Sequence, residues 1–480
     1  MTGLKLQKML PKDFQERIKN ILPPEEWEAF FECCTEPLPK TIRIAKNAAL
    51  PKNWDLKPVA GIPEAAFITR PDQQEVALGK TLPHFSGQIY IATLSSLLPI
   101  TILDPQPEEK ILDMCAAPGS KTTFISERMD NTGVLVANEL SSSRSKKLTA
   151  NIDRMGCINT VVTQSDGLFM NKFFNQEFDR ILLDAPCSSE GYGRKDAKFF
   201  KNQWKESKIF AAAKIQKKLI ESAFKMLRPD GVMIYSTCTS APEENEEVVQ
   251  HLVDLFPEEV EILNIDLGEV PHSDGIAGFE FSQHVKRLWP HKRRGNGELG
   301  RGNGEWDSEC FFLARITKKS PLKKQNPVKK HLRGLDMLGK NKCAEVFTRL
   351  HKKFGFPKDL FAKKTILDRE GELFLASKLA GLFAMRNLHR KVGLRLLDKD
   401  GNLESAFALA FGKHANKNIV QLKADQKDRW LAGYDIEFPT PLAFENSTEV
   451  IVMFEDYCLG TGKILKDGKK LKNKLSRDLL

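Results

Sequence analysis

Two short stretches carry residue types that invite chemistry. In LLDAPCSSEG, residues 182–191, an apolar run ends in Asp184, and Cys187 follows three residues later behind a proline. In VMIYSTCTS a second apolar run ends in Cys238. A thiolate is a strong nucleophile once positive charge or a helix N-terminus lowers its pKa. Only one of the two cysteines can make the first attack, and Cys187, beside an acid, is the more obvious choice on its own stretch. The ordinary expectation for any one cysteine is a small buried hydrophobe, so context must decide.

A third stretch, DMCAAPGSKT, residues 113–122, follows a predicted strand and opens a predicted helix. Its small residues Cys115, Ala116, Ala117, Pro118, Gly119 and Ser120, ahead of Lys121, let the backbone approach a ligand at a helix N-terminus. It is not a P-loop, because Met114 stands where the first glycine belongs and Ser120 separates Gly119 from Lys121. Glu139, twenty residues after Gly119, ends the next strand and suits ribose hydroxyls; Asp166, after the third strand, suits an adenine amino group. With no phosphate cradle and no full GxGxxG, the layout fits S-adenosylmethionine better than NAD.

Parallel strands must position these groups. EKILDMC, GVLVANE, NTVVTQSD, FDRILLDAP, GVMIYSTC and CFFLARI read as strands, separated by helical patterns such as TTFISERM, SSRSKKLTANIDRMG and WKESKIFAAAKIQKKLIESAFKML. Such alternation predicts an α/β fold with an open, mostly parallel sheet and helices on both faces. Asp184 and Cys238 then lie at C-terminal strand ends, the edge where ligands bind.

Length and charge bound the rest. A chain of 480 residues holds two to four domains. With 28% charged and 41% hydrophobic residues it reads as soluble and globular, and no segment offers the roughly 20 apolar residues of a membrane span. The N-terminus lacks a secretory pattern. The nine cysteines are odd in number and scattered, with no CxxC and no zinc spacing. We therefore expect a cytoplasmic protein with no metal and no disulfide framework. Residues 317–480 hold 34 Lys+Arg against 19 Asp+Glu, whereas residues 1–316 are net −5, so the C-terminal third suggests a polyanion-binding module.

The domain reading is residues 1–60 as a helical N-terminal extension, 61–318 as the catalytic domain, 319–330 as a linker, 331–385 as a helical connecting region and 386–480 as a β-rich domain with a basic tail, which the resemblance given below makes an RNA-binding one. Between His291 and Cys310 the pentapeptide RGNGE occurs twice, which reads as a glycine-rich loop.

Two cysteines and an aspartate beside a methyl donor suit methylation at C5 of a pyrimidine. C5 of cytosine is a poor nucleophile; a thiolate adding at C6 makes it enamine-like, an acid holds N3, and a base later removes the C5 proton so that the thiol leaves. The ordered string CAAPGSKT, ANELSSSR, LLDAPCSSEG, GRKD and YSTCT resembles the NOL1/NOP2/Sun family of RNA cytosine-C5 methyltransferases, from about Ile42 to Ile316. The resemblance implies a Rossmann-like class I methyltransferase fold. Cys238 would be the nucleophile, Cys187 would assist product release, and Cys115 to Lys121 with Glu139, Asp166 and Asp184 would hold S-adenosylmethionine. Asp184 could also hold N3. Arg194, Lys195 and Lys121 are expected contacts to phosphate or substrate.

The chain length and the ending VIVMF…LGTGKILKDGKKLKN are similar to a bacterial branch of that family. That branch methylates a cytosine of 16S ribosomal RNA near the decoding site and carries a C-terminal PUA-like domain. The expected partner is then the small ribosomal subunit, met by a monomer. The chain departs from the family at Ala92 and Thr93, where an acid usually follows a glutamine, and at the RGNGE insert. A transfer-RNA methyltransferase of the same family and an assembly factor with an idle fold are the rival readings.

Overall fold

The computed structural model describes residues 10–34, 36–46, 48–68, 77–196, 198–292, 306–323, 335–385 and 389–475. The RGNGE repeat, residues 324–330 of the expected linker and the last five residues lie outside that set.

The centre is a sheet built from β5 (Lys110–Asp113), β6 (Val134–Asn138), β7 (Thr160–Thr163), β8 (Phe178–Asp184) and β9 (Leu227–Thr237). These five strands are parallel and lie in the order β7-β6-β5-β8-β9. They form because the runs ILL, VLVA and VV at their centres are apolar, and a strand with helices on both faces must be apolar on both faces. Their side chains feed two large cores, one holding Leu112, Val136, Leu183 and Tyr235, the other Ile111, Leu135, Leu182 and Ile234. Beyond β9 the antiparallel strand β13 (Phe311–Lys318) continues the sheet, with Phe312 opposite Thr237. The strand order reverses at β5, so a crevice opens at the C-terminal strand ends.

The expected boundary at residue 60 is corrected. After the short helices Lys12–Lys19 and Trp27–Cys33, strands β1 (Thr41–Ile44) and β2 (Leu56–Val59) join β3 (Ile62–Ile68) and β4 (Ile89–Ile91) in one antiparallel sheet, β2-β3-β1-β4. Pairing across residue 60 makes residues 41–91 one unit.

The expectation of a helical region over 331–385 is also corrected. Two helices are present, Lys340–Phe354 and Lys378–Ala384, but between them β15 (Lys364–Arg369) and β16 (Glu372–Ser377) form a hairpin. Its turn is Glu370-Gly371, both at positive φ, the geometry that two-residue hairpin loops require. The boundary at 385 moves as well, because β17 (Lys391–Val392) adds antiparallel to β7 and extends the catalytic sheet, while β18 (Leu394–Leu397) pairs with β16. Phe383 stacks on Phe174 at 5.5 Å between ring centroids, and Ser377 Oγ donates to the Gly133 carbonyl at 2.6 Å. The C-terminal third is therefore joined to the catalytic sheet by shared strand and core. The last unit is a five-stranded sheet running from β19 (Ile419–Gln421) to β23 (Lys470–Asn473), packed around the fully buried Trp430.

Candidate active site

Three strand ends and the turn after β5 form the crevice. Asn138, at the end of β6, donates to the carbonyls of Met114 and Ser165 and accepts from Thr163 Oγ1 at 2.9 Å, so one buried amide ties β5, β6 and β7 together. The turn Cys115–Gly119 is held from below by the helix Ser142–Arg154. Arg144 Nη2 donates to the Ala117 carbonyl at 2.7 Å and Asn151 Nδ2 to the Pro118 carbonyl at 2.9 Å. Gly119 sits at φ 111°, and a Cβ there would come within 3.1 Å of Leu148 Cδ1, so only glycine makes this turn without strain. The helix Ser120–Arg128 starts at once, and Ser120 Oγ is buried without a hydrogen-bond partner among the described residues. Asp113, behind the turn, accepts from Thr122 Oγ1 at 2.6 Å; burial pushes its carboxyl up to about 7. Burial also pushes the Cys115 thiol well up, so Cys115 contributes backbone and not a thiolate.

Glu139 is buried, with Oε1 accepting the Ser141 N–H at 2.9 Å and Arg144 at 3.5 Å from Oε2. Asp166 caps the turn Gly167–Lys172, accepting the Leu168 N–H at 3.0 Å. The next residue after Glu139, Leu140, is 61% exposed, and Phe169, three after Asp166, is 52% exposed. Two carboxylates flanked by bare apolar surface fit a nucleoside, with polar edges to bind and a ring face to cover.

The register of β8 on β9 sets Asp184 beside Ser236. Ser236 Oγ donates to Asp184 Oδ1 at 2.9 Å, while Lys121 Nζ lies 2.6 Å from Oδ2. Burial opposes the charge on Lys121, yet the Asp184 carboxylate holds its pKa above the ordinary lysine value. Asp184 is thus fixed on both oxygens between the turn and the end of β9.

Cys238 stands one residue past β9, and its Sγ lies 3.4 Å from Cys187 Sγ. Both cysteines are half-buried. The loops that carry them are fastened together. Glu190 accepts from Trp204 Nε1 at 3.0 Å, Thr239 Oγ1 at 3.0 Å and the Ser240 N–H at 2.9 Å. Ser188 Oγ meets Thr239 Oγ1 at 2.9 Å, and the Gly191 N–H donates to the Cys238 carbonyl at 2.9 Å. Two thiols this close cannot both ionise cheaply. The hydrogen bond between the two sulfurs lowers the Cys238 pKa against the cost of burial and, with burial, raises that of Cys187. The pair therefore distinguishes its members: of the two thiols, Cys238 is the more readily ionised.

The three cations divide. Arg194 is not a free phosphate contact: it is buried, pairs with Asp307 and donates to the carbonyls of Glu36 and Ser308. Lys121 is committed to Asp184. Lys195 is largely exposed and pairs with Glu309 at 3.4 Å. Sequence reasoning missed Glu309 and Ser236, and read Thr93 only as a departure from the family. Glu309 is buried beside the Cys238 segment and accepts from Thr93 Oγ1 at 3.0 Å. Thr93 thus meets a carboxylate supplied from far along the chain. Ser236 was open to deduction, because a residue two before Cys238 on an extended strand shares its face.

A family model described as 16S rRNA methyltransferase RsmB/F matches residues 100–298, and one described as methyltransferase RsmF PUA domain matches residues 417–480. The protein named ribosomal RNA small subunit methyltransferase F of Shewanella woodyi is 35% identical over 98% of this chain and 97% of its own length. Its namesake in Vibrio parahaemolyticus is 33% identical, over 98% of each chain. The chain belongs to the RsmB/F family of RNA methyltransferases. Among solved structures, a methyltransferase homologue from Pyrococcus horikoshii is 28% identical with TM-score 0.53, covering 66% of this chain and all of its own. NSun6 of Pyrococcus horikoshii, solved with the S-adenosylmethionine analogue SFG, shares the fold at 22% identity and TM-score 0.53, over 65% of this chain and 98% of that one. Family membership agrees with the α/β methyltransferase fold and the C-terminal PUA-like unit.

Within that family, the double anchorage of Asp184 carries an expected result. Asp184→Asn leaves the buried Lys121 ammonium without its counter-charge, and single-turnover methylation should fall by about 10²- to 10⁴-fold. Melting temperature, measured alongside, separates this loss from unfolding.

Proposed function

We propose that this protein transfers a methyl group from S-adenosylmethionine to C5 of a cytosine in 16S ribosomal RNA, near the decoding site, through a Cys238–C6 adduct. The observation that carries the reading is the 3.4 Å approach of the two sulfurs beside the anchored Asp184. The relatives named for the small subunit support the ribosomal substrate, and that substrate implies a cytoplasmic setting.

S-adenosylmethionine supplies an electrophilic methyl group. The turn Cys115–Lys121 would lie along it, Glu139 would accept from its ribose, Asp166 from its adenine amino group, and Leu140 and Phe169 would cover the ring. The orphaned Ser120 Oγ and the exposed apolar pair fit such a ligand. Cys238, as thiolate, forms the bond to C6. As the thiolate adds, N3 takes up a proton passed through Asp184 from the Lys121 ammonium 2.6 Å from its Oδ2, and the electron shift this allows makes C5 nucleophilic; the proton returns when the C5–C6 double bond re-forms. After transfer, a base removes the C5 proton, the electron pair re-forms the C5–C6 double bond, and the C6–S bond breaks. Cys238 then leaves as thiolate, and the Cys187 thiol stabilises it by the same hydrogen bond that lowers its pKa. A good leaving thiolate is a weakly basic one. The target base must be unstacked for C6 to be reached, which costs a few kcal/mol.

Bisulfite sequencing of total RNA decides the substrate. A strain lacking the gene should lose one protected cytosine in 16S ribosomal RNA and regain it on complementation. Loss confined to transfer RNA, or no loss, would overturn the ribosomal assignment.

A further inference from the structure

The positive charge of this chain has a second seat, in the catalytic half. Residues 195–218 hold eight lysines against Asp196 and Glu206, a net +6, so the remainder of residues 1–316 is −11. Lys198, Lys201, Lys205, Lys208, Lys214 and Lys218 are all exposed. They lie on the short helix Phe199–Asn202, the loops around it and the solvent face of the helix Glu206–Met226. Lys208 Nζ turns to the Gln203 carbonyl at 2.7 Å, and Lys217, half-buried, pairs with Glu247. The other five exposed lysines make no ion pair among the described residues.

Bare apolar side chains stand among these lysines. Phe210 is 54% exposed, Ile215 47% and Tyr192 44%. Phe210 is supported from one side by the Arg17 guanidinium, 5.9 Å from the ring centroid, and Arg17 is itself fixed by Glu206 and Glu243. An aromatic ring held in place and open to solvent, on a helix that carries exposed lysines, offers a base a stacking face and a phosphate its counter-charge. A merely solvated helix face needs no exposed aromatic.

The ridge also leads to the nucleophile. It begins where the Gly191 N–H holds the Cys238 carbonyl, and Lys195 follows on Glu309. A Cβ at Gly191 would strike Glu309 Cγ at 2.9 Å, so the ridge is packed directly against the active-site wall.

We propose that the ridge from Tyr192 to Lys218 is a docking surface for substrate RNA, guiding the strand that carries the target base toward Cys238. This rests on the reading of the protein as a ribosomal RNA methyltransferase. The ridge takes the sugar-phosphate backbone through its lysines and one unstacked base on Phe210. The basic PUA-like unit then holds a second region of the same RNA.

The test compares wild type with a Lys201→Glu, Lys205→Glu, Lys208→Glu triple variant and with Phe210→Ala. Filter binding uses naked 16S ribosomal RNA, and small subunits, from a strain lacking the gene, across a salt series. At about 0.7 counterions per phosphate contact, the triple variant should flatten the log affinity against log salt slope by about 2 and weaken binding at least ~10-fold near 0.1 M salt. Phe210→Ala should weaken binding about 5-fold or more with the slope unchanged, since stacking releases no counterion. Lys→Arg at the same three positions should restore binding. A triple variant that melts as wild type and binds both probes with unchanged affinity and slope overturns the proposal. Weaker binding to subunits with naked RNA unaffected would assign the ridge to a ribosomal protein, and overturns it too. A wild-type protein that binds neither probe would sink the proposed function itself.

Discussion

Cys238→Ala should abolish methyl transfer, with a loss of at least ~10⁴-fold in single-turnover rate, the scale on which nucleophile deletions fall. Of the three cysteines near the crevice, only Cys238 has its pKa drawn down, by the Cys187 thiol. Cys187 and Cys115 are both pushed up. Removing Cys238 also removes the largest cause that holds the Cys187 thiol up, so the variant tests directly whether Cys187 can attack in its place. The same variant should fail to form a covalent complex with RNA containing 5-fluorocytosine, whose fluorine cannot leave as a proton. Full activity in Cys238→Ala would place the attack elsewhere.

Cys187→Ala should have the opposite signature. The attack on C6 remains available, but the leaving thiolate loses its hydrogen-bond donor, so a covalent protein–RNA adduct should accumulate on ordinary cytosine and survive denaturing electrophoresis. A second readout follows from pH. In the wild type the Cys187 thiol lowers the Cys238 pKa, so the adduct-forming rate should rise with pH and level off below the range of an ordinary thiol. Without the donor the inflection should move to higher pH. Serine at position 187, which can still donate, should move it less than alanine. Unimpaired turnover with no adduct would remove Cys187 from product release.

Much of this arrangement was legible in the sequence. The apolar runs before Asp113, Asn138, Asp184 and Cys238 could only be strands buried on both faces, so the acids and the thiol had to meet at one sheet edge. What escaped depended on contacts between distant segments. Glu309 reaches Thr93 across 216 positions, and no local pattern announces that pairing. Arg194 reads as an exposed cation in GRKD, but its partner Asp307 lies 113 residues on. The hairpin Lys364–Ser377 was mistaken for helix because its turn is Glu-Gly, a weaker signal than Asn-Gly. Its second strand also runs straight into the helix Lys378–Ala384. The ridge from Tyr192 to Lys218 was hidden by averaging, since the acidic residues of the same half cancel its charge.

The central claim is that Cys238, and not Cys187, makes the bond to the base. The most direct measurement is to trap the enzyme on 16S ribosomal RNA carrying 5-fluorocytosine, digest protein and RNA, and locate the nucleotide adduct by mass spectrometry. The account predicts the modified nucleotide on the peptide bearing Cys238, with the Cys187 peptide unmodified. An adduct on Cys187 would contradict it.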